Sequence, residues 1–202
     1  MAEPTEPPRK PRLALCGSAG VGKTTLARAL AARWQVPYVE EGMRRRLEGG
    51  FDPHGLSRAG HRALLLELAE EAHAAVAAAI AGQGGVVADR SPIDSLAFWL
   101  HFGFAHEPEE RTAALVATLL ERCRQFDLVL LLPWGVLPLQ DDGIRSANRW
   151  LQLKFHALVE GLARELLPAA QLALLPKERV APQDRIAWVE AKLNVLPESI
   201  SI

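Results

Sequence analysis

The segment Gly17-Ser18-Ala19-Gly20-Val21-Gly22-Lys23-Thr24-Thr25 fits the pattern G-x-x-x-x-G-K-[ST]. Each residue type in it suits a polyphosphate. Glycines let the backbone curl until successive N–H groups point inward at phosphate oxygens. A helix beginning at the lysine adds the positive end of its dipole. Lys23 reaches the β- and γ-phosphates, and the Thr24 hydroxyl joins a Mg²⁺ ion. The chain has only five lysines, and one stands here. As a loop residue, Lys23 is expected to face solvent and add little to packing.

Three other charged groups follow runs that read as strands. Asp89-Arg90 ends Val86-Val87-Ala88. An acidic residue there can hold Mg²⁺, usually through water. Many triphosphate hydrolases place Glu next to activate water. Arg90 is instead a planar cation suited to phosphate or to developing charge. That favours transfer to a substrate over transfer to water. An ordinary strand-end ion pair is the other reading of Asp89-Arg90. Glu40-Glu41 comes just before Arg44-Arg45-Arg46. Either carboxylate could take a proton from an attacking hydroxyl, and Arg44 could return to the same place one turn later. A charged helix start, with Glu favoured by the dipole, is the alternative. Arg145 and Arg149 follow a loop through Asp141-Asp142-Gly143. Four apart, they would share a helix face and could close over a triphosphate as charge spreads on its γ-oxygens. A solvated helix start would use the same residues.

Other residues offer less. The six histidines form no metal-ligand cluster, and Cys16 and Cys123 make neither a disulfide framework nor a metal spacing. Trp99 and Trp134 are the tryptophans near strand ends and could flank a planar ring. With 23 basic and 24 acidic residues, net −1, no global positive field would hold a nucleic acid or an anionic membrane. No run approaches the roughly 18 apolar residues of a membrane span. Residues 1–12 lack the apolar stretch of a signal peptide. A soluble cytoplasmic protein is expected; its oligomeric state is not legible.

The elements that must position these groups alternate along the chain. A flexible tail over 1–11, with four prolines, precedes a single domain over 12–202. Strands are expected at 13–16, 36–39 (an edge, given Pro37), 85–89, 127–132 and 172–175. Helices are expected at 23–34, 41–48, from the cap Ser57 to about 81, from the Ser91-Pro92 start to near 103, then 108–124, 147–167 and 182–193. Gly82-Gln83-Gly84-Gly85 should stop the long helix. Such alternation implies an α/β fold, a mostly parallel sheet with helices on both faces and its ligands beyond the strands' carboxyl ends.

Taken together, Gly17–Thr25, Glu41-x-x-Arg44, Val86-Val87-Ala88-Asp89-Arg90-Ser91-Pro92-Ile93-Asp94 and Leu130-Leu131-Leu132-Pro133…Asp141-Asp142-Gly143-Ile144-Arg145 resemble a family of small P-loop proteins. It is the family that includes the nicotinamide riboside kinase domain of bacterial NAD-biosynthesis regulators. The likeness spans about residues 12–194. It implies a three-layer, nucleoside/nucleotide-kinase-like P-loop fold with strand order 2-3-1-4-5. It implies ATP·Mg²⁺ at Gly17–Thr25 and Asp89, and an acceptor pocket near Glu40, Glu41, Arg44, Arg90 and Asp94. It puts a lid around 139–150, carrying Arg145 and Arg149. The segment Pro176-Lys177-Glu178-Arg179 would lie near adenine.

These residues suggest a kinase that moves the γ-phosphate of ATP to an alcohol, nucleoside-like for preference. Glu41 or Glu40 would be the base. A regulatory ATPase or nucleotide switch is the second hypothesis. The chain has no N-K-x-D guanine reader and no L-S-G-G-Q-like segment, and Asp52-x-x-Gly55 follows Gly49-Gly50 rather than a strand. A nucleotide-binding partner without turnover is the third.

Overall fold

Alternation along the first strand decides which face each helix covers. The computed structural model of the chain describes residues 9–138 and 148–194. In β1 (Arg12–Cys16), Leu13 and Leu15 point to one side and Ala14 and Cys16 to the other, all fully buried. The leucine side packs on α1 (Lys23–Trp34) through Leu26, Ala27 and Leu30, and on α7 (Pro182–Asn194) through Val189. The alanine side packs on α3 (Arg58–Gln83), α4 (Pro92–His101), α5 (Glu109–Cys123) and α6 (Arg149–Leu166). The small side chains there let the helices approach closely.

The sheet is completed by β2 (Tyr38–Val39), β3 (Val86–Ala88), β4 (Leu128–Leu131) and β5 (Leu172–Leu174). All pairs are parallel and the order is β2-β3-β1-β4-β5, as the resemblance implied. Burial on both faces explains the continuous apolar runs. No helix among the described residues is long and apolar enough to cross a membrane.

Local signals set the helix starts. Ser57 accepts a bond from Gly60 N–H, and Asn148 accepts from the N–H groups of Trp150 and Leu151. Ser91 and Asp94 form a capping box, with Pro92 at the first helical position.

Several expected boundaries move. The long helix runs through Gly82 to Gln83; Gly84, at φ 76°, ends it by accommodating the left-handed turn. The edge strand shrinks to two residues, because Pro37 has no N–H to donate and contributes only its carbonyl, to Val87. A short helix, α2, spans Gly42–Glu48. Residues 9–11, expected in the tail, are held against the domain: Arg9 pairs with Asp127 at 2.6 Å, Lys10 donates to Gln35 O, and Pro11 O accepts from Val86 N–H. Of the expected lid around 139–150, residues 139–147, Arg145 among them, lie outside the described residues.

Candidate active site

The carboxyl ends of β1, β2 and β3 meet at one place, so motifs far apart in sequence become neighbours there. Gly17 leaves β1 at φ 126°, and a side chain on it would press on Leu132 O at 3.2 Å. Gly22, in the left-handed region at φ 87°, turns the loop into α1. A Cβ on Gly22 would meet Arg185 Nη1 and Leu137 Cδ1, both at 3.0 Å.

Lys23 is the first residue of α1 and is not solvent-facing, contrary to expectation: it is only 4% exposed. Its Nζ donates to Gly17 O at 2.9 Å and Ser18 O at 2.6 Å. Burial, followed by the nearby Arg90 charge, lowers its pKa from 10.5 to about 8.

Thr24 Oγ1 donates to Asp89 Oδ2 at 2.5 Å, and the Tyr38 hydroxyl donates to the same oxygen at 3.1 Å. Burial raises the Asp89 pKa, although the Thr24 bond and the Lys23 charge pull the other way. Asp89 Oδ1 is buried with no hydrogen-bond partner among the described residues. A hydroxyl beside a carboxylate, one oxygen of which is buried and orphaned, is a hard-oxygen donor set, which fits Mg²⁺.

Arg90 gathers the remaining groups. Its Nη1 donates to Gly17 O at 2.7 Å and to Asp94 Oδ1 at 2.8 Å, and its Nη2 lies 3.2 Å from Glu41 Oε1. Its guanidinium also lies over the rings of Phe98 and Phe155, at 5.3 and 5.9 Å. The Glu41 and Asp94 charges hold its pKa above the ordinary range despite burial, so it stays cationic. The ion-pair reading of Asp89-Arg90 therefore changes: the arginine pairs with Glu41 and Asp94.

Asp94, expected near an acceptor, has its carboxylate bonded to protein groups. Oδ1 accepts from Gly17 N–H and Arg90, and Oδ2 from the Ser91 N–H and hydroxyl. A carboxylate offers about four lone-pair directions, and these bonds use them all. Asp94 instead ties the start of α4 to the P-loop. The two glutamates also separate. Glu41, at the N-cap of α2 with a side chain 9% exposed, faces Arg90, whereas Glu40 turns outward to Arg28 at 3.2 Å. Arg44 pairs with Glu48 at 2.9 Å along α2.

The opposite wall of the site is α6. Arg149 lines a pocket of about 230 Å³ with Ala19, Gly20, Val21, Trp134, Gly135 and Leu137. Its guanidinium lies 5.8 Å from the Trp134 ring and 5.2 Å from that of Trp150. Trp99, in contrast, is a core residue, 1% exposed. Arg179, in the turn after β5, accepts from Arg185 Nε through its carbonyl at 2.8 Å.

A family model described as an AAA domain matches residues 12–181. The chain belongs to this AAA-domain family. The family domain superposes on NadR protein in complex with NAD and AMP-PNP with a TM-score of 0.66 at 21% identity, covering 96% of this chain and 52% of that one. NadR in complex with NR gives 0.67 at 22%, over 96% and 54%. Thymidylate kinase from Ehrlichia chaffeensis gives 0.64 at 13%, over 93% of this chain and 100% of that chain. These likenesses show a P-loop kinase-type fold. Among curated proteins, a bifunctional pantoate ligase/cytidylate kinase of Synechococcus sp. (strain JA-2-3B'a(2-13)) is 53% identical over 38 residues, 19% of this chain and 7% of that protein. The AAA-domain chain thus spans about half of the NadR chains and a small part of that curated relative.

Four residues of the AAA domain's site escape the sequence reading. Tyr38, the chain's single tyrosine, reaches Asp89. Gln152 Oε1 accepts from Ala19 N–H at 3.0 Å. His156 is 7% exposed and stands beside Gly17. Burial lowers its pKa. Arg185, 3% exposed, donates to Val21 O at 2.9 Å. For Gln152 and His156 a signal existed, since both lie on the helical face of Arg149 at steps of three and four. For Tyr38 and Arg185 no spacing pointed to the site.

Proposed function

We propose that the protein is a Mg²⁺-dependent kinase that transfers the γ-phosphoryl group of ATP to a hydroxyl of a nucleoside-like acceptor. The observation that carries the reading is the Glu41–Arg90 pair beside Gly17: a carboxylate stands at the P-loop where it can serve an alcohol. The NadR structures contain AMP-PNP, NAD or NR, which supports ATP and a nucleoside-like acceptor.

In this reading the Gly17–Thr25 amides bind the triphosphate, and Thr24 and Asp89 would hold Mg²⁺, which would supply charge neutralisation. Glu41 accepts the proton of the acceptor hydroxyl while that oxygen forms its bond to the γ-phosphorus and the bond to the bridging oxygen breaks, releasing ADP. Lys23 leaves the Gly17 and Ser18 carbonyls for the phosphates. Arg90 orients Glu41 and offers its charge to the transferring group. Arg149 adds charge from the α6 side; Arg145, outside the described residues, is proposed to join it over the triphosphate and help exclude water. Arg44 is proposed to meet the acceptor and Arg179 to border adenine, with Glu40 and Asp94 acting by position.

The test is a panel of nucleosides and other small alcohols incubated with Mg·ATP, scored for ADP and for a phosphorylated product. Acceptor-dependent ADP release with a matching phosphate monoester is expected. Equal ATP turnover with and without every alcohol would replace the kinase by a regulatory ATPase; binding without turnover would leave a nucleotide-binding partner.

A further inference from the structure

Arg149, Gln152 and His156 share one face of α6, and each meets the P-loop at a different place. Arg149 borders Ala19, Gly20 and Val21. Gln152 Oε1 accepts from the Ala19 N–H. A Cβ at Gly17 would come within 3.6 Å of His156 Nδ1. The middle contact has the most direct consequence. Ala19 is the third residue of a loop whose backbone N–H groups serve phosphate oxygens. A carboxamide oxygen is a partly negative acceptor, and at 3.0 Å it makes with that N–H the bond a phosphate oxygen would make. One N–H does not serve both acceptors at full strength.

We propose that Gln152 is a donor-site residue that competes with nucleotide, its side-chain oxygen standing in for a phosphate oxygen on Ala19 N–H. The inference rests on the reading of Gly17–Thr25 as a nucleotide site and adds the side chain that nucleotide must displace. Arg149 lies one turn earlier on the same face, so the two side chains meet the same loop from one helix. A neutral hydrogen bond given up in this way corresponds to a factor of about 2–10 in an equilibrium constant.

The experiment is calorimetric titration of the full chain with ADP and with Mg·ATP, for wild type, Q152A, Q152M and Q152E. Gln152 is only partly buried on α6, and melting curves recorded alongside show whether each variant is folded. Q152A and Q152M, which lack the competing oxygen, are expected to bind ADP about 2–10-fold more tightly. Q152E is expected to bind more than 10-fold more weakly, because its carboxylate is a stronger acceptor and repels phosphate. Unchanged affinity in Q152A and Q152M would make Gln152 a bystander, and weaker affinity would make it a phosphate ligand; both overturn the proposal. Failure of the wild type to bind either nucleotide would overturn the nucleotide reading and this inference with it. Failure to find an acceptor would sink only the kinase.

Discussion

Buried, and with the Arg90 charge close by, Lys23 gives up its proton more readily than a free lysine does. Its pKa of about 8 lies below the ordinary 10.5. The unfolded chain holds this proton up to the higher value, so the group's contribution to stability rises with pH between about 8 and 10.5 and is lost as pH falls through that window. Bound phosphates reverse the balance by favouring the cation. Nucleotide binding at pH 8 should therefore take up roughly half a proton through Lys23, and almost none through it at pH 6.5. Calorimetry in buffers of different ionisation enthalpy reads that uptake. An uptake at pH 8 identical in wild type and Lys23→Met would show that another group titrates. The Lys23 position was legible because the motif fixes it to a helix start. Its burial was not, since that depends on β3 and on Arg90, distant in the sequence. The same holds for Asp94: the family resemblance put it near an acceptor, and no local signal showed that its carboxylate bonds to Gly17, Ser91 and Arg90.

At the scale of elements, α6 is the informative case. Its first turn carries Arg149 and no acidic residue, although a cation there opposes the helix dipole by about 0.3–1 kcal/mol. An arrangement unfavourable to the helix suits a site that must meet negative charge. Arg149→Ala is expected to lower kcat by a factor on the order of 10–1,000 with KM for ATP changed much less, because the charge it meets develops in the transition state. Steady-state kinetics with the acceptor found in the panel measures this. An unchanged kcat would leave Arg149 as a partner of Trp134 and Trp150 only. The existence of α6 could be read from its apolar face, through Phe155, Leu158 and Leu162. The direction of its polar face could not, because the chain leaves β4 through a long connection whose course no local signal fixes. By contrast the start of α4 was readable to the residue, since Ser91 caps it and Pro92 opens it; its end, expected near 103, falls at His101.

At the scale of the molecule, the parallel order follows from alternating strands and helices, and the strand sequence in space follows the family resemblance. What no pattern gave was the tightness at the lower edge of the sheet. A Cβ on Gly85 would stand 2.7 Å from Lys10 Cβ, and 2.8 Å from Pro11 O and Val36 Cγ1. Gly85→Ala is therefore expected to reduce unfolding free energy by about 2–3 kcal/mol through overpacking. For a domain of this size that is a fall in Tm of roughly 4–12 °C, visible in a melting curve. A variant melting with the wild type would mean that residues 10–11 shift freely. Sequence marked Gly85 only as part of a helix stop, since its neighbours come from two other segments.

The pairing of Arg9 with Asp127 also fixes where the chain enters the domain. Arg9 precedes β1, and the P-loop follows it, so the two stand at opposite ends of a strand about 15 Å long. A fluorophore placed at Arg9 itself therefore reports from the amino ends of the strands, with the length of β1 between it and the P-loop.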